Sequence, residues 1–87
     1  MDALTIKSIR ELLGLNQLQF AQLLGVHPIT VSKWERGVAA PTDYQQAFLS
    51  QFQVAAKNKK VQDDLKTVLI VAGVIAALLL LFSAAKK

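Results

Sequence analysis

The stretch from Asn16 to Gly37, NQLQFAQLLGVHPITVSKWERG, decides the fold. It predicts two short helices joined by a tight turn at Gly25. Asn16 suits an N-cap, because its side-chain oxygen can accept a bond from an orphan N–H one turn in. Gln19, three residues on, completes a capping-box pattern. Phe20, Leu23 and Leu24 recur at helical spacing, and Ala21 is small enough to let a second helix approach closely. Gly25 supplies a C-cap position that needs positive φ. His27 precedes a proline and is pushed out of the α region, which suits an N-cap. Pro28 fits the first helical position, where no backbone donor is needed. Val31 and Trp34 can face a core, while Thr30, Ser32, Lys33 and Arg36 fall on other faces. Gly37 ends the second helix, and Pro41 prevents its continuation.

On either side the same signals recur. Ala3 to Leu13 predicts a helix with Ile6, Ile9 and Leu13 in an apolar stripe and Leu12 beside them. Lys7, Arg10 and Glu11 face outward, and Gly14 ends it. A further helix starts at Thr42, with Gln45 completing a second capping box. Tyr44, Phe48, Leu49 and Phe52 give it an apolar face. This core is small, so residues 1–56 alone are expected to be marginally stable, and self-association would help.

The spacing Gln17…Ala21…Gly25-Val26…Thr30-Val31-Ser32…Trp34-Glu35-Arg36-Gly37…Pro41 resembles the phage-repressor and Cro-like (XRE) helix-turn-helix family, over roughly residues 4 to 55. The resemblance implies an all-α, lambda-repressor-like bundle of four or five helices, in a bacterial or phage transcription regulator that binds double-stranded DNA as a homodimer. In such a domain the second helix of the motif enters the major groove with its N-terminal residues toward base edges. Here those are Pro28, Ile29, Thr30 and Ser32, with Lys33 a turn further in and Arg36 placed for the backbone. By the same resemblance Gln17 would touch a phosphate and brace the base-reading residues. His27 can donate to a phosphate or simply cap the helix. Arg10 and Glu35 would form an ion pair inside the domain. Pro28 and Ile29 depart from the family's polar residues; Ile29 can still meet a thymine methyl.

Charge leaves a second reading open. Residues 1–56 balance Lys7, Arg10, Lys33 and Arg36 against Asp2, Glu11, Glu35 and Asp43. The whole excess of +4 lies in residues 57–87, where six lysines face Asp63 and Asp64. A neutral domain with an exposed Ile29 also suits a protein partner, as in membrane-anchored adaptors that grip a cytoskeletal protein through a helix-turn-helix.

Lys57-Asn58-Lys59-Lys60 marks the expected end of the domain, and residues 57–66 read as a basic, helical juxtamembrane linker. Thr67 to Ala85, TVLIVAGVIAALLLLFSAA, carries no charge. As one helix it would be roughly 28 Å long, close to the ~30 Å hydrocarbon core of a bilayer. Lys66 on one side and Lys86-Lys87 on the other can snorkel to headgroups. The expectation is a single transmembrane helix over 67–85 with a two-residue tail. Lysine asymmetry places residues 1–56 in the cytoplasm, beneath a cell inner membrane. Ala72-Gly73 and Ala76-Ala77 form small-residue pairs that can bring two such helices together.

The chain has no cysteine and one histidine. Disulfides and thiolate zinc sites are excluded. No catalytic set, phosphate-binding glycine loop or metal-ligand spacing is present, so neither an enzyme nor a cofactor is expected.

Overall fold

The computed structural model describes residues 1–86, which form six helices and no strand. They are α1 (Ala3–Leu12), α2 (Gln17–Leu24), α3 (Pro28–Glu35), α4 (Asp43–Ala55), α5 (Lys59–Ala72) and α6 (Val74–Ala85).

Local chemistry sets most of the boundaries. Asp2 caps α1 by accepting the Thr5 N–H at 2.8 Å. Asn16 and Gln19 close a reciprocal capping box on α2, at 2.8 and 3.0 Å. Gly25 then adopts φ 68°, and the Val26 N–H returns to the Ala21 carbonyl at 3.0 Å. That left-handed residue turns the chain sharply enough to start α3 three residues later. Thr42 and Gln45 repeat the reciprocal box on α4. Asn58 opens α5 by accepting the N–H groups of Lys60 and Val61.

The helices share one core. Ile6, Ile9 and Leu13 from the α1 region join Phe20, Leu23, Val31, Trp34, Leu49 and Phe52. Val61, Leu65 and Leu69 of α5 and Ala77 and Leu81 of α6 belong to the same cluster. α6 lies between α5 and α4 and also touches α2. Its Phe82 ring sits 5.8 Å from Phe48 and 6.3 Å from Phe52, centroid to centroid. The radius of gyration, 11.8 Å, matches the ~12 Å of a compact chain of this length.

Three sequence expectations need correction. Residues 67–85 are not one helix. Gly73 stands at φ 95°, ψ 179°, a conformation essentially reserved for glycine, and it folds α5 and α6 into a hairpin. Among the described residues no helix is long and apolar enough to cross a membrane. Residues 57–66 are not a separate linker, because Val61 and Leu65 are fully buried. The boundary expected after residue 56 therefore falls inside the shared core. Finally, Ala72, Gly73, Ala76 and Ala77 do not line one helix face: Gly73 is the break, and Ala77 is buried against the chain's own helices.

A candidate nucleic-acid interface on the third helix

Burial fixes how α3 is presented. Val31 and Trp34, three residues apart, are buried. They pin one side of α3 to the core, and helical periodicity turns the other side outward. Ile29 and Lys33, four apart on that outer side, are exposed, and Ile29 keeps 53% of its surface. Arg36 is exposed at the C-cap, while Pro28, Thr30 and Ser32 are half-buried beside this ridge.

The N-terminal end of α3 is built by His27. Its Nδ1 accepts the Ile29 N–H at 3.2 Å, which satisfies one orphan donor of the first turn. The ring is thereby held at the helix start, with Nε2 as the nitrogen left for a partner. Pro28 follows at the first helical position.

Behind α3 lies a charged brace. The Arg10 Nε and a terminal guanidinium nitrogen donate to the two Glu35 oxygens at 2.7 and 3.0 Å. The other terminal nitrogen donates to the Leu15 carbonyl at 2.9 Å. This fork-on-carboxylate geometry is the strong form of an ion pair. The bond to Glu35 holds the Arg10 pKa above arginine's ordinary value, against the opposing effect of burial. Gln17 Nε2 also donates to Glu35, at 3.3 Å. One carboxylate at the end of α3 thus gathers α1 and the start of α2.

Of the sequence-predicted residues, Ile29, Thr30, Ser32, Lys33 and Arg36 come together on α3, with His27 and Pro28 at its start. Gln17 lies at the start of α2, tied to Glu35. Two features escaped the sequence reading. Ser32 Oγ accepts a bond from Arg36 Nε at 3.2 Å; their i, i+4 spacing was the available signal. The partner through which Gln17 braces, Glu35, is the second, and spacing alone does not reveal it. Lys33 and Arg36 make no ion pair among the described residues. Both are therefore unneutralised charges on the outward face.

Residues 6–44, from α1 to the first turn of α4, match a family model described as helix-turn-helix. This segment has the arrangement of a helix-turn-helix domain. No curated protein and no solved structure gives a significant match to the chain. Within the helix-turn-helix, α2 and α3 are the paired helices and Gly25 is the turn.

Proposed function

We propose that the protein is a DNA-binding regulator that reads double-stranded DNA with the first turns of α3. One observation carries this: the buried Val31–Trp34 side leaves Ile29, Lys33 and Arg36 on a single projecting ridge. An α-helix of this kind fits the ~12 Å major groove. Lys33 and Arg36 supply the positive charge, Ile29 an apolar contact to a thymine methyl, and His27 reaches a flanking phosphate, while Gln17 braces Glu35 from behind. The neutral charge of residues 1–56 predicts weak non-specific binding, because that component comes from neutralised phosphates. Two copies on a two-fold-symmetric site are the expected stoichiometry, read by titration of a selected duplex.

The test is a double variant, Lys33→Ala with Arg36→Ala. Each lost phosphate contact lowers the salt slope of log affinity by about 1. A shallower slope and weaker binding are expected. Unchanged affinity and slope would remove both residues from the interface.

The exposure of Ile29 in a neutral domain favours a second reading, an adaptor gripping a protein surface. Under that reading Ile29→Ser abolishes capture of the partner, and the Lys33/Arg36 pair matters little.

A further inference from the structure

The α5–α6 hairpin carries two features that water and hydrocarbon treat differently. The first is apolar surface. Ile70, Val71, Ile75 and Leu79 are 65%, 80%, 77% and 66% exposed around the turn. Together they present on the order of 500 Å² of surface, the size of the largest apolar patch on a typical monomer, which is often functional.

The second is in the backbone. The Gly73 N–H reaches back to the Leu69 carbonyl, and the Ala77 N–H reaches the Gly73 carbonyl, both at 3.1 Å. Between them, α6 has no side-chain cap. The N–H groups of Val74, Ile75 and Ala76 and the carbonyls of Ile70, Val71 and Ala72 have no protein partner among the described residues. The register is notable, because each of these donors stands four residues after one of these acceptors. Turning Gly73 into the α region pairs all six groups in three helical bonds.

We propose that a lipid bilayer is the occupant of this face, and that the hairpin opens at Gly73 to meet it. α5 and α6 then join into one helix over 59–85. Its charge-free portion, 67–85, spans roughly 28 Å of a ~30 Å hydrocarbon core. Hydrocarbon tolerates no unpaired backbone group, and the opened helix has none at the former break. The four exposed side chains pass into lipid. Lys57, Lys59, Lys60 and Lys66 remain on the near side with α1–α4; Lys59 and Lys60 pair with Asp63 and Asp64, and the remaining charge of Lys57 and Lys66 complements anionic headgroups.

A second copy of the chain fits this face less well. The patch falls short of the ~800 Å² per partner of a stable dimer, and side-chain packing there leaves the six backbone groups unpaired. In the absence of lipid, opening is opposed by the packing of Phe82 on Phe48 and Phe52. The closed bundle is thus the form expected in water, and the open one the form expected in a bilayer.

The experiment uses the full chain and flotation with vesicles of phosphatidylcholine and phosphatidylglycerol at three to one. The absence of native cysteine allows one reporter, Ile75→Cys, carrying an environment-sensitive dye. Co-flotation with a blue-shifted, quencher-protected dye is expected, together with helix signal along the membrane normal in oriented circular dichroism. Gly73→Ala should raise the bound fraction several-fold at limiting lipid. Ile75→Asp with Leu79→Asp should lower it at least tenfold. These two positions are exposed, so an unchanged cooperative melt by circular dichroism shows that the double variant's bundle still folds. No flotation, or flotation with a quencher-accessible dye or a helix lying flat, would overturn the proposal. So would self-association that the aspartates abolish in protein that never floats.

Discussion

The two halves of this molecule treat their loose ends differently. In α1–α4 every helix start is closed by a side chain: Asp2, Asn16, His27 and Thr42 each accept a backbone N–H. The buried carboxylate of Glu35 is met by Arg10 and Gln17. In α5–α6, by contrast, the helix break at Gly73 is uncapped, and four branched aliphatics around it face water. The difference teaches that the first half is held by local caps and one ion pair, whereas the hairpin rests on apolar packing and on the backbone freedom of Gly73.

The largest expected effect breaks the first half. Trp34→Ala removes a buried side chain that holds α3 to α1 and should cost about 4 kcal/mol. Denaturant melts should show this loss, and DNA binding should go with it. Arg10→Ala strands Glu35, whose side chain is 6% exposed, and should cost about 3 kcal/mol, as breaking a buried pair does. Leu81→Ala sharpens the contrast. It opens a cavity under α6 worth about 3 kcal/mol, yet hydrogen exchange should rise in α5 and α6 more than in α1–α4. If protection falls equally everywhere, the two halves fold as one unit. Gly73→Ala strains the hairpin by about 2 kcal/mol in water, since alanine disfavours that backbone conformation. Smallest of all, Ile75→Ser should change stability in water by less than about 0.5 kcal/mol, as exposed substitutions usually do. A larger loss there would mean that Ile75 is packed in solution.

The first half was legible because its signals are local. Asn16 with Gln19, Thr42 with Gln45, and Gly25 each act within one turn of chain. Pattern therefore locates them without knowledge of the tertiary fold. The Arg10–Glu35 pair lies 25 residues apart in sequence, and only the family resemblance suggested it. The second half was misread for a physical reason. Absence of charge over 67–85 measures how readily the segment leaves water, and both a bilayer and a protein core satisfy that. Val61, Leu65 and Leu69, and Ala77 and Leu81, recur four apart, as residues of one buried face do. That stripe was the available sign of packing within the chain. Gly73 was read as a small packing residue, whereas its value here is access to positive φ.

On α3, sequence placed the residues but not their availability. Ser32 is occupied by Arg36 and Gln17 by Glu35. Exposure, which decides what can touch a base, followed only once Val31 and Trp34 were seen buried.

The most direct test of α3 as a DNA-reading helix is selection from a random pool of duplex DNA by the full-length protein at near-physiological salt. An enriched, two-fold-symmetric sequence that is lost in the Lys33→Ala, Arg36→Ala variant is predicted. Retention with no enriched sequence, or no retention at all, would contradict it and shift the ridge around Ile29 to a protein partner.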